Sequence, residues 1–78
     1  MDIQNLIKMA NQIGQFFETY PEHDAAVASV AEHMSRFWEP RMRAALIEHA
    51  HASGDTGGLS PLVHEAVLRL TPPLTIVI

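Results

Sequence analysis

Cysteine is absent from the 78 residues of this chain. That absence removes disulfides, thiolate zinc sites and iron–sulfur ligation together, so no thiol-based staple can hold the fold. Long hydrophobic runs are missing too. No apolar stretch approaches the roughly 20 residues needed to cross a bilayer, and the opening Met1-Asp2-Ile3-Gln4-Asn5 lacks the cationic start of a secretory signal. A soluble cytoplasmic protein with no membrane partner is the expectation. Basic residues are scarce, with five Lys and Arg against nine Asp and Glu and a net charge of −4. Nucleic-acid binding depends on neutralising phosphates, so no nucleic-acid partner is expected. A domain this small buries a modest share of its apolar surface and is marginally stable alone. With staples excluded, docking on a partner or self-association becomes the favoured source of further stability.

Helical periodicity is what the chain does have. Ile3, Leu6, Ile7, Ala10, Ile13, Gly14 and Phe17 form one stripe at 100° per residue, in a helix predicted from an Asp2 N-cap to about Thr19. Met9 and Phe16 lie a heptad apart on its shoulder and widen the apolar face to about half the circumference, more than the ~100° one small core requires. The opposite face is rich in uncharged amides: Gln4, Asn5, Asn11, Gln12 and Gln15. Amides donate and accept in one place, which suits a contacting surface as well as a plain solvated face.

Pro21 separates a second helix, starting near Glu22 to Asp24, whose inward stripe is Ala26, Val27, Val30, Ala31, Met34, Phe37 and Trp38, with Glu32 and Arg36 paired outside. Pro40 opens a third as a first-turn proline, and Met42, Leu46, Ile47 and Ala50 face inward. Ser53-Gly54-Asp55-Thr56-Gly57-Gly58 reads as a flexible linker. Ser60 and Pro61 then begin a last helix with the stripe Leu62, Val63, Ala66, Val67 and Leu70. The expected fold class is all-α: a small bundle of three to four short helices in a single domain over residues 1–70. An extended apolar tail, residues 71–78, follows. That tail is β-branched and uncharged, and it would be disordered, laid on an apolar surface or paired with another chain.

Catalytic chemistry finds little support. His49 and His51 are two apart and point to nearly opposite sides of a helix, while His23, His33 and His64 fall on different segments without a ligand pattern. No serine sits in a nucleophile elbow, no carboxylate pair stands out as acid and base, and Gly57-Gly58 lacks the lysine of a phosphate loop. No cofactor, no metal and no catalytic residue are expected.

The most informative stretch is Arg36-Phe37-Trp38-Glu39-Pro40-Arg41-Met42-Arg43, which holds the only Trp and three of the five basic residues. Large aromatics beside guanidinium groups are the composition of protein-binding hot spots. Here they bridge a helix–helix corner, with the aromatics expected inside and the arginines facing a partner. Arg41 and Arg43 occupy a first helical turn, the end where the helix dipole disfavours cations. A carboxylate on this chain or another would explain that placement. The expected partner-binding residues are Met9, Asn11, Gln12 and Phe16 from the first helix, and Arg36, Phe37, Trp38, Pro40, Arg41, Met42 and Arg43 from the corner.

Lys8-Met9-Ala10-Asn11-Gln12-Ile13-Gly14-Gln15-Phe16-Phe17 and the Arg36–Arg43 string, with their spacing and the Ser60-Pro61 helix start, resemble the delta subunit of soluble NAD-dependent formate dehydrogenases. The likeness covers roughly the first 70 residues. It implies a cytoplasmic accessory subunit without a cofactor of its own. The partners of such a subunit carry a molybdenum or tungsten pterin centre, iron–sulfur clusters and FMN, and oxidise formate with NAD. It further implies docking on the catalytic alpha subunit, in support of its assembly or stability. The residues from Thr71 onward depart from the polar, basic ending common in that family. The alternative from the residues alone is a self-associating helical protein, a homo-oligomer when isolated.

Overall fold

The computed structural model describes residues 2–70. Met1 and the expected tail at 71–78 lie outside the described residues. Four helices follow one another: α1 (Ile3–Phe17), α2 (His23–Phe37), α3 (Pro40–Ala52) and α4 (Pro61–Arg69). Among the described residues the fold is all-helical, as the periodicity predicts.

Each boundary has a local cause. Asp2 caps α1 by accepting from the Gln4 amide at 3.0 Å. Helix α1 ends at Phe17, two residues short of the predicted Thr19. There the Thr19 hydroxyl donates to the Phe16 carbonyl at 2.9 Å and the Tyr20 amide to the Phe17 carbonyl at 3.0 Å. A hydroxyl that competes for a backbone carbonyl favours a turn over further helix. Trp38 and Glu39 are extended between α2 and α3, and the residue before a proline is excluded from helical backbone by its ring. Ser60 accepts from the Val63 amide at 3.4 Å, and Pro61 takes the first position of α4, where no donor is needed.

Helix α4 is the hub, packed against α2, α3 and α1, while α1 also meets α2 and α3. Val27, Val30, Met34, Leu46, Val63 and Val67 are fully enclosed. Burying a side chain of this kind contributes roughly 1.5–3 kcal/mol relative to leaving it exposed. The predicted stripes land inside, with one correction: Phe37 does not belong to the buried face of α2, being 72 % exposed. Its neighbour Trp38 turns inward and is 6 % exposed. Because α2 stops at Phe37, the extended backbone at Trp38 redirects that side chain to the core instead of continuing the helical rotation.

Gly14 sets the approach of α1 to α4. A Cβ there would fall well inside van der Waals contact of Val63 Cγ2. A glycine inside a helix costs about 1 kcal/mol relative to alanine, so close helix packing is the compensating gain.

The segment 53–60 corrects a second expectation, because it is a pinned loop and not a flexible linker. Ser53 Oγ donates to the His49 carbonyl at 2.8 Å, the Gly57 amide to Asp55 Oδ1 at 2.9 Å, and His49 Nε2 to the Gly57 carbonyl at 2.7 Å. Since a carbonyl only accepts, that last bond requires the His49 proton on Nε2. Gly57 and Gly58 take φ of 62° and 88°, a left-handed backbone that side chains disfavour. Leu59 then drops into the core.

Candidate partner-binding surface

The corner between α2 and α3 does not work as a uniform basic patch. Arg43 is half-buried, and its guanidinium donates to the backbone carbonyls of Trp38 and Ser35, the latter at 3.4 Å. Among the described residues no carboxylate forms an ion pair with it. The cation instead serves the end of α2, where unpaired carbonyls carry the negative pole of the helix dipole. Its position in the first turn of α3 is thereby explained within the chain. Arg36 pairs with Glu32 at 3.3 Å on an exposed face, a contact of the kind that contributes little to stability. Arg41 is exposed and forms no ion pair among the described residues. Pro40 is exposed beside it, whereas Met42 is half-buried against the core. The three arginines therefore have three different environments.

The amides of α1 divide as well. Asn11 is committed internally: its Nδ2 donates to the Gly58 carbonyl at 3.0 Å and its Oδ1 accepts the Ser60 amide at 2.9 Å. One side chain so ties α1 to the loop and to the start of α4. Gln12 remains exposed. Met9 packs against the edge of the core, and the Asn5 amide reaches its sulfur at 3.7 Å.

Among the described residues the exposed large hydrophobics are Phe16, Tyr20, Phe37 and Leu68, three of them aromatic. Phe16 is 66 % exposed and meets Phe17 edge-on, with ring centroids 5.0 Å apart. Phe17 meets Tyr20 at 5.3 Å and His33 at 6.3 Å, and His33 meets Phe37 at 4.9 Å. The end of α1 and the second half of α2 thus share one band of rings, and Tyr20 and Phe37 continue it on the surface. Edge-to-face pairs hold such rings in place with about 0.5–1.5 kcal/mol each. Beside them an open groove of ≈ 220 Å³ is lined by Phe17, Ser29, Glu32, His33, Arg36 and Phe37. That volume falls below the roughly 300–1,000 Å³ of small-molecule pockets. Among the described residues, no group of three or more His, Asp or Glu could hold a metal ion. Contiguous exposed rings rimmed by charge are instead the composition of a protein-contact surface.

Of the residues nominated from the sequence, the fold brings Phe16, Phe37 and Arg36 into this band. Trp38 lies in the core, and Asn11 lies on another edge of α1. Phe17, Tyr20, Ser29 and His33 are additions that the sequence reading missed. Their signal was the i,i+4 spacing of Phe16 with Tyr20 and of Ser29, His33 and Phe37, which sets each group along one helix edge.

A family model described as the NADH-dependant formate dehydrogenase delta subunit FdsD matches residues 5–67. The chain belongs to that family. The matched span opens inside α1 and closes inside α4, so it takes in the corner, the pinned loop and the aromatic band. The resemblance carried by the Lys8–Phe17 and Arg36–Arg43 segments is accordingly sound at the level of the family. The comparisons with curated proteins and with solved structures gave no match. No helix among the described residues is long and apolar enough to cross a membrane.

Proposed function

We propose that this delta-family chain is a non-catalytic accessory subunit of an NAD-dependent formate dehydrogenase complex in the cytoplasm. It docks on the catalytic alpha subunit and supports that subunit's assembly or stability, without a cofactor of its own. The observation that carries the docking reading is the exposed aromatic band formed by Phe16 and Phe37 with Phe17, Tyr20 and His33. A monomer gains nothing from two phenyl rings left two-thirds in water, whereas an interface gains from each ring it desolvates.

In this reading Phe16, Phe37 and Arg36 occupy the centre of the contact. Met9 and Gln12 extend it back along α1 at helical spacing, and Arg41 offers an exposed cation that forms no ion pair among the described residues. Trp38, Pro40, Met42 and Arg43 hold the corner in shape. Co-expression of the chain with the alpha subunit tests this. Phe16→Ser combined with Phe37→Ser is expected to keep the helical circular-dichroism signal and to abolish co-purification, and Arg41→Glu to weaken it as salt is raised. Undiminished co-purification of the double phenylalanine variant at moderate salt would remove this band from the interface. The same exposed face also suits self-association of the isolated chain.

A further inference from the structure

We propose that the free chain pairs with a second copy of itself across an antiparallel two-fold axis passing through His33 of α2. The groove beside the aromatic band is built to receive its own rim. Ser29 lies four residues before His33 and Phe37 four residues after it, each about 6 Å along the helix axis. A two-fold axis through His33 therefore maps position 37 of one copy onto position 29 of the other. Position 37 carries an exposed phenyl ring, and position 29 carries a small hydroxyl that lines the groove. Each Phe37 ring would enter the other copy's groove beside Ser29, with Phe17 as the far wall.

Charge agrees with this register. The groove carries one acid and one base, Glu32 and Arg36, already 3.3 Å apart within the chain. In the antiparallel pairing Arg36 comes within about two residues of axial level, or ~3 Å, of the second copy's Glu32. The ion pairs can then be exchanged or doubled across the axis. A groove lined by charges of one sign would repel its own copy, whereas this one is self-complementary, as an isologous contact requires. The other groups lining the groove are Ser29, His33 and the uncharged rings of Phe17 and Phe37.

This pairing rests on the geometry of α2 and on the Phe17 ring that lines its groove, and not on the docking reading. A single consequence rests on the docking reading: a second copy and the alpha subunit would compete for Phe37, so the paired form would be the unassembled one.

The absence of cysteine makes the test clean, since any introduced thiol is the only one. Full-length His33→Cys, treated with a short bismaleimide, is expected to cross-link to itself. A mixture of Ser29→Cys and Phe37→Cys should yield the mixed dimer in preference to either self-pair. Glu48→Cys, exposed on α3, serves as the control. Sedimentation of the unmodified chain should show a concentration-dependent dimer within about 1–100 μM, a common range for interfaces of modest size, and Phe37→Ser should weaken it by about tenfold or more. A chain that stays monomeric throughout that range, or Glu48→Cys cross-linking as well as His33→Cys, would overturn the proposal. Phe37 is exposed, so its replacement does not threaten folding. These measurements use the chain alone, so their failure would leave co-purification with the alpha subunit as a separate question.

Discussion

The two edges of α1 began with similar claims to be an interface and end in opposite states. One edge carries Asn11 and Gly14. There the Asn11 amide is spent on Gly58 and Ser60, and the missing side chain of Gly14 is filled by Val63. The other edge carries Phe16, whose ring leans on Phe17 and otherwise faces water. Polarity alone would have nominated the amide edge for contact, since amides match any polar surface. In the structure the Asn11 amide has its donor and its acceptor paired inside the chain, while the Phe16 ring stays uncovered. A free surface is best recognised by what the fold fails to satisfy.

The largest effect is expected where the closed edge is tightest. Gly14→Leu puts a branched side chain against fully buried Val63, and overpacking of that kind costs about 3 kcal/mol or more where neither helix can yield. Thermal denaturation should show a fall of ten degrees or more, since each kcal/mol moves the midpoint of a domain this size by about 4–8 °C. A midpoint within two degrees of the unmodified chain would mean that α1 and α4 are not in close contact.

Asn11→Leu comes next. It leaves the Gly58 carbonyl and the Ser60 amide without their partner, at a cost of about 1–2 kcal/mol. Hydrogen exchange should accelerate first in residues 53–60. If protection there is unchanged, the loop is held by the His49 and Asp55 contacts instead.

The arginines sharpen the contrast between spent and free groups. Arg43→Met keeps the apolar stem but loses the bonds to the Trp38 and Ser35 carbonyls, and about 1 kcal/mol of stability should go with them. Arg41→Met, which removes no partner among the described residues, should stay within about 0.5 kcal/mol of the unmodified chain in urea titration. Equal losses at the two positions would show that Arg41 has a structural contact of its own. The smallest effect on stability belongs to Phe37→Ser, also within about 0.5 kcal/mol, because that ring is exposed. Its consequence should appear in association, whether with the alpha subunit or with a second copy.

Much of the architecture was readable in advance because its signals are local. Asp2, Pro40, Ser60 and Pro61 mark helix starts through backbone groups within three residues of themselves. The apolar stripes follow from helical rotation, and from α1, α3 and α4 they reach the core or its edge as expected. Phe37 was harder because it keeps the helical rotation of its stripe and still stands exposed at the last position of α2, whereas the extended backbone after it carries Trp38 inward. The contacts of Arg43 within the chain were not legible either, because they are main-chain carbonyls, which no side-chain pattern records. The loop at 53–60 looked like a linker by its glycines, yet the same glycines permit the turn that lets Asn11 and His49 pin it.

By itself, then, the sequence determined the all-helical class, the positions of the helix starts, the exclusion of thiol chemistry and the family. Each of these depends on residue type and on neighbours a few positions away. Only the tertiary structure decided which polar groups are already satisfied and which rings remain uncovered. Those questions turn on contacts between residues some fifty positions apart, such as Asn11 with Ser60 and Gly14 with Val63. Pairing at that range exists only after the helices have packed.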